Sequence, residues 1–270
     1  MIRIENLHKT FNSGTMNEVY ALRGIDLEIR EGDFVTIIGT NGSGKSTLLN
    51  AIAGSFLPDQ GRILLDGHEV TRRMDYERAK YISRVFQNPF SGTAPHMTIA
   101  ENLHAAYLRG AKRFPVIGLT AARKKHYRQE LAALEMQMED RIENVIGSLS
   151  GGQRQAITLL MAVIRKPKVL LLDEHTAALD PKSAAQVIRL TQRFIERDGL
   201  TAVMVTHSMQ QALELGNKTI MMNKGKVIDE ISLQEKKRLT VNDLLEKFAD
   251  LRKSERLTDE LVEELKREYA

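Results

Sequence analysis

Residues 39–46, Gly39-Thr40-Asn41-Gly42-Ser43-Gly44-Lys45-Ser46, fit the pattern GxxxxGK[ST] without deviation, and Thr47 follows them. Glycines at such spacing let the backbone curl until successive N–H groups point inward at phosphate oxygens. A continuous apolar run, 34–38 (FVTII), enters the loop, and helix-like residues leave it from Ser46. The new helix adds the positive end of its dipole. Lys45 can then neutralise β- and γ-phosphates, and the Ser46 hydroxyl can ligate Mg²⁺. A second apolar run, 169–172 (VLLL), ends in Asp173 and Glu174. Carboxylates so placed sit at the C-terminal edge of a sheet, where open α/β folds bind ligands. Adjacent side chains point opposite ways, so the two differ in role: Asp173 as metal partner, directly or through water, and Glu174 as general base on an attacking water. A third signal is Leu149-Ser150-Gly151-Gly152-Gln153, which opens a helical pattern ending before Pro167. It is a second helix start suited to an anion. A face-to-face homodimer, with each phosphate loop opposite the partner's Ser150-Gly151-Gly152, gives both starts a use.

Together, GTNGSGKST, LLLDE and LSGGQ resemble the ATP-binding cassette (ABC) ATPases over about residues 1–235. The resemblance implies ATP and Mg²⁺ as ligands, bound by residues 39–47 of one subunit and by Ser150, Gly151, Gly152 and Gln153 of the other. It also implies that Gln87, in ValPheGlnAsnPro, contacts Mg²⁺ and the attacking water while its loop senses a membrane partner. Ala178-Leu179-Asp180 is similar to the loop that crosses the dimer interface. His207 is similar to the histidine that contacts the γ-phosphate. An aromatic ring that stacks on adenine is expected near the N-terminus; Phe11 is the choice, with Tyr20 as competitor. Because Lys45, Gln87, Ser150, Asp173, Glu174 and His207 are all present, two competent sites and true ATP turnover are expected of the homodimer.

The elements that must position these groups are legible in the apolar pattern. Residues 1–32 alternate as edge strands around an Asn12-Ser13-Gly14 turn. The runs 34–38, 169–172 and 202–205 read as strands buried on both faces, alternating with helical stretches at 183–197 and 209–215. The expected fold is therefore α/β: a P-loop ABC ATPase core with a mostly parallel sheet flanked by helices and an N-terminal antiparallel part. A charged region, about 90–150, has helical periodicity at 98–108 and 121–138 and reads as an inserted helical subdomain. The ATPase domain is placed at 1–239. A helical tail is placed at 240–270, capped by Thr240 and Asp243, with Leu244, Leu245, Phe248 and Leu251 on one face.

Composition removes several other chemistries. The chain has 270 residues and no cysteine, so disulfide scaffolds and thiol catalysis are excluded. Lys+Arg exceed Asp+Glu by 39 − 35 = 4, with the signs interspersed, which demands neither nucleic acid nor an acidic surface. The longest apolar stretches stop far short of the ~18–20 residues of a spanning helix. The expectation is a protein made and kept inside the cell. His8, His68, His96, His104 and His126 lack metal-ligand spacing and read as surface or loop histidines, while His175 is expected to shape the turn beside Glu174.

The work expected of the resemblance is transport. The chain would be the motor at the cytoplasmic face of the membrane, bound to a separate integral membrane permease. Residues from Asn88 to about Tyr107 would receive the permease, with Phe90, Met97 and Leu103 as apolar contacts. The segments GTMNEVYALRGIDLEI, SGTAPHMTIAENL and LLLDEHTAALDP resemble an importer subgroup that works with a branched-chain-amino-acid-type permease and an extracytoplasmic solute-binding protein. Amino acids are the substrate class implied. The alternatives are an exporter or lipoprotein-release cassette, or a non-transport ABC ATPase; no nucleic acid partner is expected.

Overall fold

The computed structural model describes residues 1–110, 118–250 and 253. The alternation of the first thirty residues becomes two antiparallel strands, β1 (Ile2–Phe11) and β2 (Val19–Ile29). Their inward side chains, Ile2, Ile4, Leu7, Leu22, Ile25 and Ile29, are fully buried. β4 (Gln60–Leu65) pairs along the other edge of β1, and the short β5 (His68–Glu69) closes a sheet of order β2-β1-β4-β5.

The continuous apolar runs form the central sheet. β3 (Phe34–Gly39), β6 (Ile82–Val85), β7 (Val169–Asp173), β8 (Thr201–Val205) and β9 (Lys218–Asn223) are mutually parallel, and β10 (Lys226–Ser232) returns antiparallel on β9. The order is β10-β9-β3-β8-β7-β6. Helices cover it: α1 (Lys45–Ala53), the one-turn α2 (Asp75–Arg78), α3 (Ile99–Tyr107), α4 (Ala121–Ala132), α5 (Gly151–Val163), α6 (Pro181–Asp198), α7 (Met209–Glu214) and the one-turn α8 (Leu233–Lys236).

Period-two alternation splits the core in two. Ile37, Leu171 and Val203 face the antiparallel sheet and α1, meeting Ile2, Leu22, Leu48 and Ile52. Leu170, Leu172 and Met204 face the other way, onto Leu103 of α3, Leu131 of α4, Leu160 of α5 and Phe194 of α6. The register sets Ile37 and Asp173 on either side of Val205. Three neighbouring parallel strands thus end on one edge, and their following loops open there.

One buried cation holds the far end of α1. Arg78 is fully buried with no carboxylate ion pair among the described residues; its guanidinium donates to the carbonyls of Ala51 and Ile52 (both 2.8 Å), Arg73 (2.8 Å) and Thr71 (3.2 Å). That of Ile52 is among the last helix carbonyls, which have no partner within the helix, while that of Ala51 also accepts from the Gly54 N–H (3.2 Å). Burial lowers the pKa of Arg78 to about 10.

Three expectations are corrected. The helix expected over 121–138 stops at Ala132, and Glu135 and Gln137 take left-handed backbone (both φ 54°). Leu131, Leu134 and Met138 keep helical spacing in the sequence, yet the last two enter the core from a turned segment. Leu103 is fully buried in the core and cannot be a contact for a partner. In the tail, residues 241–250 are helical and Thr240 forms the reciprocal cap with Asp243. Leu244 and Phe248 pack with Ile38 and Met221, whereas Leu245 turns outward, 46% exposed. Leu251 lies outside the described residues. Among the described residues no helix is long and apolar enough to cross a membrane.

Candidate functional site

Gly39 ends β3 and Lys45 begins α1, so residues 40–44 are the turn between strand and helix. Gly44, the residue before the helix, has φ 97°, and a Cβ there would come within 2.5 Å of the Ala21 carbonyl oxygen. Only glycine meets both conditions. The loop is pinned by Gly225 N–H donating to the Ser43 carbonyl (3.0 Å). Ser43 Oγ is buried without a partner among the described residues, so the loop keeps a polar group to offer. Lys45 is 5% exposed, and its Nζ donates to the carbonyls of Gly39 and Thr40, each at 3.0 Å. Burial pulls this ammonium below the ordinary lysine range, and Glu174 and Asp173 pull it back up.

The acidic strand end stands beside the loop. Ser46 Oγ donates to Asp173 Oδ1 (3.2 Å), and Arg84 Nη2 donates to Asp173 Oδ2 (2.6 Å). Glu174 turns the other way and meets His207, Nε2 to Oε1 at 2.6 Å. Glu174 takes left-handed backbone, φ 46°, which a side-chain-bearing residue adopts at a cost. Its N–H donates to the Val205 carbonyl (3.1 Å) and its own carbonyl accepts from Ala177 N–H (3.0 Å), so neighbours on both sides hold that conformation. The two carboxylates therefore serve two different sets of partners. Gln87 is exposed two residues beyond β6.

Divalent-metal chemistry can be judged from the donors. No group of three or more His, Asp or Glu among the described residues could hold an ion unaided. Ser46 and Asp173 offer two hard oxygens on adjoining element ends. That set suits Mg²⁺, which keeps several waters and takes the rest of its octahedron from phosphates. The residues present fit it.

The second helix start lies elsewhere on the chain. Ser150 caps α5 reciprocally with Gln153: Gln153 N–H donates to Ser150 Oγ and Ser150 N–H to Gln153 Oε1, both 3.3 Å. Gly151 and Gly152 lie against Leu179 and Ser183, at the loop and helix start that Asp180 caps. Hydrogen bonds from Ser183 lower the Asp180 pKa. The partners of 150–153 are thus Leu179 and Ser183, and those of the phosphate loop are Ala21, Met222, Asn223 and Gly225. The structure does not bring the two helix starts onto common partners within one chain.

On the β1–β2 hairpin, Phe11 opposes Val19 and Tyr20 opposes Thr10, so the two rings leave opposite faces. Phe11 meets Phe56 edge-on at 5.3 Å, while Tyr20 is 55% exposed with the Arg23 guanidinium over its ring. His175 is buried, with Nε2 3.0 Å from Thr191 Oγ1, and burial lowers its pKa to about 4. His104 is less bare than a surface histidine: its Nδ1 lies 3.0 Å from the Tyr127 hydroxyl.

Two residues tied to this edge are absent from the motif reading. Arg84 is a charge inside the strand-like stretch 81–86, and that oddity was its only signal. Gln155 is fully buried, and its Nε2 donates to the carbonyls of Phe86 (3.1 Å) and His175 (2.7 Å). It joins the residue before Gln87 to the residue after Glu174, a link no spacing rule announces.

Known proteins share this fold. The family profile described as "ABC transporter" matches residues 22–177. A tyrosine transport ATP-binding protein of Clostridioides difficile is 42% identical over 92% of this chain and 98% of its own length. A probable sulfate/thiosulfate import ATP-binding protein of Chlorella vulgaris is 37% identical over 93% and 99%. Among solved structures, a dimeric ATP-binding cassette in a post-hydrolysis state with ADP and phosphate superposes with a TM-score of 0.74, at 32% identity, over 86% of this chain and 99% of that one.

Proposed function

This chain belongs to the ABC transporter family, and from that premise we propose that it is the ATPase subunit of an importer for a small solute of the amino-acid class. Its ATPase activity is coupled to transport. The observation that carries the assignment of residues is the gathering of Lys45, Ser46, Asp173, Glu174 and His207 where β3, β7 and β8 end together.

On nucleotide binding, Lys45 hands its donations from the Gly39 and Thr40 carbonyls to phosphate oxygens, and the N–H groups of residues 40–47 cradle the phosphates. Ser46 and Asp173, with Gln87 alongside, would hold Mg²⁺, which would supply positive charge to offset that of the phosphates. Glu174, aimed by His207, accepts a proton as water attacks the γ-phosphorus, and ADP and phosphate leave. His207 also reports on the γ-phosphate. Phe11 stacks on adenine. A second copy supplies Ser150, Gly151, Gly152 and Gln153 to the same phosphates, with Asp180 at the crossing, so the bound γ-phosphate closes the dimer and hydrolysis opens it.

The moving dimer needs a membrane partner. A groove of about 340 Å³ opens beside β6, lined among others by Tyr76, Ala79, Phe86 and Arg109. Phe90 and Met97 are exposed nearby in sequence, and a permease segment is their proposed occupant. The proposed location of the chain is the cytoplasmic face of the membrane, with an extracytoplasmic solute-binding protein on the far side. The name of the Clostridioides relative supports an amino acid, aromatic ones included, as solute.

Glu174→Gln tests the site. It should bind ATP, form a stable ATP-dependent dimer and lose hydrolysis by about two orders of magnitude or more; hydrolysis at the wild-type rate overturns the assignment. Affinity purification from detergent-solubilised native membranes tests the partner. A hydrophobic permease that stimulates the ATPase is expected, and ribosomal or nucleic-acid partners without one would overturn transport.

A further inference from the structure

Arg84 occupies a position that the mechanism does not use. It lies in β6 beside Leu171 of β7, with its side chain only 16% exposed. One arm, Nη2, holds Asp173 Oδ2 at 2.6 Å. The other, Nη1, donates to Asn50 Oδ1, one helical turn beyond Ser46 in α1. The plane of the guanidinium lies over the Phe86 ring, 4.7 Å from its centroid, and Phe86 directly precedes Gln87. A single cation thus ties the helix that carries Ser46, the strand that carries Asp173 and the residue before Gln87. Both oxygens of Asp173 are engaged, Oδ1 by Ser46 and Oδ2 by Arg84.

We propose that Arg84 is a positioning residue for the divalent-metal site: it holds Asp173 against Ser46 and, by compensating that carboxylate, sets how strongly the site draws Mg²⁺. Two physical consequences follow. A planar guanidinium anchored on Asn50 by one arm and on Asp173 by the other fixes the carboxylate's orientation better than a flexible ammonium does. Its positive charge also opposes the arrival of a second cation, so a lone divalent ion gains little at Asp173. Metal is retained only when nucleotide phosphates add their negative charge. Removing one unit charge a few ångströms beyond the metal's carboxylate corresponds to about a ten-fold change in metal affinity at near-aqueous screening.

The inference rests on the Mg²⁺ role given above to Ser46 and Asp173, and the test separates the two. Binding of a fluorescent ADP analogue to the purified full chain is followed in EDTA and across a Mg²⁺ titration, for wild type, Arg84→Gln, Arg84→Lys and Asp173→Asn. Arg84→Met, which keeps an unbranched stem in the strand, replaces Arg84→Gln if that variant does not fold. The expected result is a Mg²⁺ midpoint about ten-fold lower in Arg84→Gln, with affinity in EDTA weakened by no more than about ten-fold through loss of the same charge, and a midpoint and EDTA affinity within about three-fold of wild type in Arg84→Lys. A midpoint that is unchanged or raised in Arg84→Gln, while Asp173→Asn weakens the Mg²⁺ response, overturns the role of Arg84 alone. A Mg²⁺ response that Asp173→Asn leaves untouched overturns the metal site itself. A purely structural role would weaken affinity in EDTA for Arg84→Lys as much as for Arg84→Gln, and that outcome also rejects the proposal.

Discussion

Gly152→Ala puts one methyl group into the contact between α5 and α6. A Cβ at Gly152 would lie 2.6 Å from Ser183 Oγ and 2.7 Å from Ser183 Cβ. The second distance decides the matter, because Cβ cannot swing aside as a hydroxyl can. Ser183 is itself held, its N–H bonded to Asp180 Oδ1 at 3.0 Å just after Pro181 begins α6. On helix propensity alone, glycine to alanine would stabilise by up to about 1 kcal/mol. Overpacking costs about 1–3 kcal/mol, and a 2.7 Å approach to a fixed Cβ belongs in the upper part of that range, about 2–3 kcal/mol, so the expected net change is a loss of about 1–2 kcal/mol. For a chain of this size that corresponds to a fall of about 2–8 °C in Tm. Ser183→Gly removes the obstructing Cβ and alone costs about 0.5 kcal/mol. The double variant should therefore regain the loss, with a coupling equal to the steric cost, about 2–3 kcal/mol, in a cycle measured by urea denaturation. A Gly152→Ala protein as stable as wild type, or a double variant showing no recovery, refutes the steric account of this glycine.

Two further predictions concern buried bases. His175 has a folded pKa of about 4 against an ordinary 6.5, because burial disfavours its charged form. It is neutral in both states above pH 6.5. Below that the unfolded chain binds the extra proton, so stability falls as pH drops from 6.5 toward 4, by up to about 3 kcal/mol. His175→Gln should lack this component in urea melts between pH 7 and 4.5, and parallel pH profiles would contradict it. Arg78→Met strands the carbonyls of Ile52, Thr71 and Arg73, leaves that of Ala51 with Gly54 N–H alone, and should cost about 3 kcal/mol or more by urea denaturation; a loss under about 1 kcal/mol would show that water or a local shift replaces the guanidinium.

The contrast between local and distant information runs through the molecule. Local sequence determined the fold class: 34–38, 169–172 and 202–205 have no polar alternation because helices or a second sheet cover both faces, and they are the central strands β3, β7 and β8. It also determined the phosphate loop, since φ 97° at Gly44 and the helix start at Lys45 are properties of a few consecutive residues. The cap at Thr240 and Asp243 was legible for the same reason. Tertiary structure alone decided what joins distant segments. Arg84 meets Asp173 across 89 positions, Gln155 reaches Phe86 across 69, and Gly152 is required by a serine on another helix. Tertiary packing also overrode period: Leu134 and Met138 keep helical spacing after the helix has ended, and Leu103 is core although its segment borders the exposed Met97. Periodicity records which residues avoid water, and a side chain can be buried from a turn as well as from a helix. The partner a buried polar group finds is set by how the layers stack, which no window of the sequence contains.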